Sequence, residues 1–190
     1  MKIGVLAIQG DFAAHLRVLA KSGVDRIEVR DQRALQCADG LIIPGGESTT
    51  LLKIINEENL AGSIRQFALS GKPVFGTCAG AILLASEVLN PNQESLDLIN
   101  ISVERNAYGR QVDSFIEALD SSLGESPLEA VFIRAPKILS IGRDVEVLAK
   151  LKGEPVLVRE GRILAATFHP ELTEDERVHR LFVQMVAESN

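Results

Sequence analysis

The chain has 190 residues, enough for one complete hydrophobic core and few for two, so a single domain over 1–190 is expected. Its 46% hydrophobic and 24% charged residues are those of an ordinary globular protein, without a low-complexity tract or internal repeat. A formal net charge of -6 disfavours a nucleic-acid binder, and two cysteines, Cys37 and Cys78, are too few for a disulfide scaffold and lack metal-ligand spacing.

Lys2 to Ile8 reads as a nearly continuous apolar strand, broken by Gln9-Gly10-Asp11 before Phe12, Leu16 and Leu19 recur at helical spacing. The apolar run Ile3 to Ile8 is much shorter than a membrane span and no small-residue cleavage site follows it, so a cytoplasmic protein without membrane contact is expected. Further strands fit Arg26 to Arg30 and Gly40 to Ile43, the latter ending in Pro44-Gly45-Gly46 before a helix through Leu51, Leu52 and Ile55. Leu60 to Leu69 predicts a helix stopping at Gly71, Pro73 to Gly76 a short strand, and Ala79 to Ser86 a small-residue helix. In the second half Val112 to Ile116, Val131 to Ile133, Val145 to Leu151, Pro155 to Val158 and Ile163 to Phe168 predict strands, with Glu160-Gly161 suited to a hairpin turn. Thr173 to Ala187 predicts a closing amphipathic helix with Glu174, Asp175 and Glu176 in its first turn. Strands and helices in this alternation define an α/β fold: a mostly parallel sheet buried under helices on both faces, extended by some antiparallel pairing.

Gly76-Thr77-Cys78-Ala79-Gly80 falls between a strand and a helix, the form of a nucleophile elbow with Cys at its centre. Glycines on both sides let the chain turn sharply, and a cysteine at a helix N-terminus meets partial positive charge that favours thiolate over thiol. The plainer alternative is a buried structural cysteine. Cys37 lacks such context and reads as a small core or near-core residue.

Thr167-Phe168-His169-Pro170-Glu171 follows a strand, and Pro170 biases His169 toward an extended conformation. Residues two apart in an extended segment project together, so Glu171 can orient the imidazole while its other nitrogen takes the thiol proton. His15 and His179 sit in the first and last helices among charged residues, where exposed helical side chains are the simpler reading. Pro44-Gly45-Gly46-Glu47-Ser48 ends another strand on the side where open α/β sheets bind ligands, and Gly46 can join Ala79 in donating N–H groups to an oxyanion. A simple turn with Ser48 as helix N-cap is compatible with that role.

The segments P-G-G-E, G-T-C-A-G and H-P-E, in this order, resemble those of the triad-type, class I glutamine amidotransferases, whose architecture is flavodoxin-like. Five longer segments narrow this: A-I-Q-G-D at Ala7 to Asp11, P-G-G-E-S-T-T at Pro44 to Thr50, V-E-R-N-A-Y-G-R-Q-V-D-S-F at Val103 to Phe115, F-I-R-A-P at Phe132 to Pro136 and F-H-P-E-L-T at Phe168 to Thr173. They are similar to the glutaminase subunits of pyridoxal 5'-phosphate synthases, and the resemblance spans nearly the whole chain. It implies Cys78 as nucleophile, His169 as base, Glu171 as its orienting partner, and L-glutamine contacts at Gly46, Glu47, Ser48, Arg105, Ile133 and Arg134. Arg105 also has a direct rationale, since a guanidinium pairs well with an α-carboxylate. Ile116 departs from the family, which has an acidic residue after the phenylalanine, and nothing is carried across Asn90 to Asp97.

The implied chemistry is hydrolysis of glutamine through a glutamyl thioester, which needs neither metal nor organic cofactor. The ammonia would pass to a second polypeptide, named by the resemblance as the barrel subunit of pyridoxal 5'-phosphate synthase. Two rivals are an amidotransferase subunit for another acceptor, disfavoured by E-R-N-A-Y-G-R-Q, and a catalytically silent α/β module, disfavoured by the intact Cys78, His169 and Glu171.

Overall fold

The apolar runs become strands of one large sheet in the computed structural model, which describes residues 1–105 and 114–189. In chain order the first half comprises β1 (Lys2–Leu6), α1 (Phe12–Lys21), β2 (Asp25–Val29), α2 (Gln32–Gln36), β3 (Gly40–Ile43), α3 (Ser48–Glu57), α4 (Leu60–Leu69), β4 (Val74–Thr77), α5 (Ala79–Leu84) and β5 (Ala85–Leu89). The second comprises β6 (Ile99–Glu104), β7 (Ser114–Ser121), β8 (Leu128–Ile133), β9 (Lys137–Ile141), β10 (Glu146–Leu151), β11 (Glu154–Glu160), β12 (Ile163–Ala166), a 3-10 turn (Pro170–Leu172) and α6 (Arg177–Ala187).

Among the described residues the large sheet has nine strands in the order β2-β1-β3-β4-β12-β11-β10-β7-β8. From β2 to β12 the pairing is parallel, and from β12 to β8 it is antiparallel. A second sheet of three strands runs β5-β6-β9. The expected parallel sheet with antiparallel extension is therefore the observed one. The register that matters most sets Ile43 beside Gly76 and Gly76 beside Ala165. It brings the C-terminal ends of β3, β4 and β12 level, and with them the loops that open at Pro44, Cys78 and Thr167.

Both faces of the sheet are covered, which is why its strands lack polar alternation. Leu41, Ile43, Val74, Ile163 and Ala165 share one core with Leu51 and Ile55 of α3 and Ile64 and Phe67 of α4. Ile42, Phe75, Leu164 and Ala166 point the other way, into a core with Leu19 of α1 and Phe182 and Val186 of α6. Each Val, Leu, Ile and Phe side chain among them gains about 1.5–3 kcal/mol by leaving water, so a polar residue on either face would be costly unless paired.

Several expectations need correction. The helix after the elbow stops at Leu84, and Ala85–Leu89 forms β5 rather than helix, its first residue at ψ 151°. Strands β5, β6 and β9 were not expected at all. The closing helix begins at Arg177, so no acidic residue lies in its first turn. Glu174 instead pairs with Lys21, Asp175 with Arg177 and Glu176 with Arg180. Cys37 is exposed, not near the core. Of the strand expected over Val112 to Ile116, the part up to Asp113 lies outside the described residues, as does Asn106 to Asp113 of the family-like segment.

Candidate active site

Cys78 follows β4 directly and sits at φ 47°, ψ -103° as the N-cap of α5. Such a backbone costs a non-glycine residue on the order of 1–3 kcal/mol and persists only where its surroundings hold it. Here the Cys78 N–H donates to Ala166 O at 2.8 Å, and its carbonyl accepts from Ile82 N at 3.1 Å. The flanking glycines serve space. A Cβ on Gly76 would come within 2.5 Å of the Gly80 carbonyl carbon, and one on Gly80 would collide with the Ile43 carbonyl oxygen. The Cys78 side chain, 7% exposed, has its sulfur 3.9 Å from Ile133 O.

His169 leaves β12 with its N–H bonded to Val131 O at 2.8 Å, and its Nδ1 lies 2.7 Å from Glu171 Oε1. The two side chains meet as expected, by a different route: Glu171 belongs to the Pro170–Leu172 3-10 turn, not to an extended segment. With Nδ1 taken, Nε2 is the nitrogen left to face Cys78. Burial opposes charge on His169, but the hydrogen bonds and charges of Cys78 and Glu171 outweigh it and hold the pKa up to about 10. Burial likewise pushes Glu171 toward its neutral form, and His15 and His169 override it, leaving the carboxyl below its ordinary value.

A cleft of about 380 Å³ opens over this cluster, lined by Cys78, His169, Gly46, Glu47, Ser48, Arg105, Ile133 and Arg134 together with Gln9, Asp11, Gly45, Ile82 and Leu172. Every residue expected to contact glutamine is in that set. Glu171 lies behind His169 and is buried, while Ala79, fully buried, offers the cleft no side-chain surface. Arg134 adopts φ 42°, a second non-glycine residue of this wall in the left-handed region.

The glycine loop is tied to the first strand's turn. Asp11 N donates to Gly45 O at 3.3 Å, and Glu47 N donates to Gln9 Oε1 at 3.2 Å. Glu47, not Ser48, caps α3: its carboxylate accepts from Thr49 N at 3.0 Å and Thr50 N at 2.7 Å. Burial resists its ionisation, but the Thr50 and Thr49 donors together outweigh it and bring its pKa down to about 2. Arg105 Nη2 reaches Glu47 Oε1 at 3.3 Å and Thr49 Oγ1 at 3.1 Å, so its guanidinium is held at the cleft wall rather than loose at the surface. Ser48 Oγ donates to Gln93 Oε1 at 2.9 Å, which brings in a residue from the segment across which nothing was carried.

His15 and His179 overturn the expectation of exposed helical side chains, for both are fully buried. His15 Nδ1 lies 3.0 Å from His179 Nε2, and His15 Nε2 lies 3.2 Å from Thr77 Oγ1 and 3.5 Å from Glu171 Oε2. A signal existed: His15 precedes Leu19 by four residues, and His179 precedes Phe182 by three, which sets each on its helix's apolar face.

A cysteine elbow at the C-terminal edge of a parallel sheet, with a histidine and a buried carboxylate from the segment that follows the adjacent strand, is the arrangement of triad-type hydrolases built on a flavodoxin-like frame. Within that class the chain belongs to the SNO glutamine amidotransferase family, whose model matches residues 5–188. It is 52% identical to the pyridoxal 5'-phosphate synthase subunit PdxT of Thermotoga neapolitana over 187 residues, 98% of this chain and 100% of that one. Identity to the PdxT subunit of Koribacter versatilis is 54% over 190 residues, 100% of this chain and 98% of that one. Among solved structures, a glutamine amidotransferase crystal structure superposes with a TM-score of 0.92 at 48% identity, covering 97% of this chain and 98% of the other.

Proposed function

We propose that this chain, as one glutamine amidotransferase domain in the cytoplasm, is the glutaminase subunit of a pyridoxal 5'-phosphate synthase and hydrolyses L-glutamine to L-glutamate and ammonia. The observation that carries the reading is that Cys78 and His169 line one cleft, with Nδ1 of His169 committed to the buried carboxylate of Glu171 at 2.7 Å.

Cys78 Sγ attacks the side-chain amide carbon of glutamine, and the carbonyl oxygen becomes an oxyanion facing the N–H groups of Gly46 and Ala79. His169, carrying the thiol proton on Nε2, gives it to the departing nitrogen, so ammonia leaves and a glutamyl thioester remains. Water then loses a proton to His169 and attacks the thioester; collapse releases glutamate and returns the proton to sulfur. Glu171 keeps the imidazole in the Nδ1–H tautomer throughout. Arg105 pairs with the α-carboxylate of the substrate, and Glu47, Ser48, Ile133 and Arg134 shape the rest of the cleft. The ammonia is consumed by the partner, the barrel subunit of the synthase.

Cys78→Ala tests this. Glutamate release measured with the synthase subunit present falls about a thousandfold or more, as loss of a triad nucleophile does elsewhere, with the unfolding temperature little changed. Turnover near that of the unaltered chain would overturn the assignment.

A further inference from the structure

Two buried histidines stand behind the triad and take no part in the steps above. His15, on α1, and His179, on α6, have no exposed surface. His15 Nε2 lies 3.5 Å from Glu171 Oε2. That is the carboxylate oxygen His169 does not use, and among the described residues it has no hydrogen-bond partner at ordinary length.

Proton placement in this chain of rings follows from one orphaned atom. His179 Nδ1 is buried and has no partner among the described residues. A buried N–H without an acceptor costs more than a lone pair without a donor, so the proton of His179 belongs on Nε2, where it donates to His15 Nδ1 at 3.0 Å. His15 then carries its own proton on Nε2, shared between Thr77 Oγ1 at 3.2 Å and Glu171 Oε2 at 3.5 Å. The opposite assignment would bury an unpaired N–H on His179 and turn a lone pair of His15 toward a carboxylate. Both rings are neutral near pH 7. Burial lowers the pKa of His15 and His169 adds to that, against the pull of Glu171 and Asp11; burial and His15 bring His179 down to about 3, against the pull of Glu171.

We propose that His15 is a positioning residue of the triad: His179 fixes its tautomer, and its Nε2–H holds Oε2 of Glu171 so that Oε1 stays on His169. The inference rests on the glutaminase reading. It sets one N–H donor, 3.5 Å away, toward the free oxygen of the orienting carboxylate, supplied by α1 and locked by α6, two helices that do not line the cleft with these side chains.

The experiment compares His15→Gln with His15→Leu, assaying glutamate release with the synthase subunit present and unfolding temperature in parallel. Glutamine sets an amide nitrogen near the place of Nε2 and keeps a donor; leucine fills similar space and has none. If His15 only filled the core, leucine would serve at least as well, because an imperfectly paired buried amide is the worse occupant. A positioning role reverses the order: His15→Leu loses about 10- to 100-fold in kcat with KM changed by less than about twofold, while His15→Gln keeps most of it. The acid limb of kcat/KM also moves to higher pH in His15→Leu, since Glu171 without this donor is protonated more readily. Leucine equal to or better than glutamine, or an unmoved acid limb, overturns the proposal. Should either variant fail to fold, His179→Leu, which keeps His15 but frees its tautomer, decides: lower kcat at constant KM supports the role and unchanged kinetics overturn it. If the unaltered chain shows no Cys78-dependent glutamate release, the glutaminase reading itself fails, a separate outcome.

Discussion

Cys78 and Arg134 face the same cleft in backbone conformations that non-glycine residues rarely adopt, at φ 47° and 42°. Strain of this kind survives where neighbouring hydrogen bonds over-determine it, and at Cys78 both its N–H and its carbonyl are so held. Arg105 is positioned by another device: Glu47 caps α3 and, with the same carboxylate, holds the guanidinium at 3.3 Å. A side chain so placed pays little further ordering entropy on meeting a carboxylate ligand. Arg105→Ala therefore raises the glutamine KM by about 10- to 100-fold, the worth of one charge-assisted hydrogen-bond pair, with kcat reduced much less. Steady-state kinetics check it, and an unchanged KM would remove Arg105 from substrate binding. Residues of this kind were legible because each announces itself in a short local pattern. Thr77-Cys78-Ala79 between glycines and His169-Pro170-Glu171 after a strand need no knowledge of distant contacts. His15 and His179 were misread because Arg17 and Arg180 stand close by in sequence, while the partners that make burial tolerable, Thr77 and Glu171, lie 62 and 156 positions from His15 along the chain.

At the scale of the element, the elbow is a packing problem more than a turn problem. Gly80 opens α5 against the carbonyl of Ile43 at the end of β3, and Gly76 lies against Gly80. Gly80→Ala drives a methyl group into backbone that cannot rotate away, so it destabilises by about 1–3 kcal/mol. Because β3 leads directly into the glycine loop, it also slows alkylation of Cys78 by iodoacetamide. Chemical denaturation and alkylation rates check the two effects; wild-type values for both would show that α5 has room the packing denies. The same crowding explains which elements could be read in advance. Leu60–Leu69 and Gly40–Ile43 have the expected bounds because turn residues flank them and one period runs through them. Ala79 to Leu89 carries no glycine or proline after Gly80, and its apolar run fits a helix or a buried strand equally. The switch at Ala85 is made by pairing with Ile99 of β6, a contact that no local pattern encodes.

At the scale of the whole molecule, the glycine loop and the turn after β1 form one unit at the sheet's edge, and that coupling makes the partner's influence predictable. The peptide between Gly45 and Gly46 has its carbonyl bonded to Asp11 N at 3.3 Å, and in a planar trans peptide the Gly46 N–H points the opposite way. Turning that plane requires breaking the Asp11 bond, and Glu47 N on Gln9 Oε1 resists the same movement. On the proposed mechanism, a partner docked against the Gln9-Gly10-Asp11 turn would set the direction of the Gly46 N–H, and losing or gaining one oxyanion donor is worth roughly 100- to 1000-fold in rate. No helix of the described residues is long and apolar enough to cross a membrane. The isolated chain is expected to hydrolyse glutamine slowly, and titration with the synthase subunit to raise kcat/KM by about 100-fold or more, saturating at a fixed stoichiometry. Cys78→Ala serves as the blank, so that ammonia from any other source is subtracted. Equal kcat/KM with and without the partner would overturn this gating and leave the cysteine chemistry untouched, because Cys78, His169 and Glu171 are held by β4, β12 and the 3-10 turn rather than by the turn after β1.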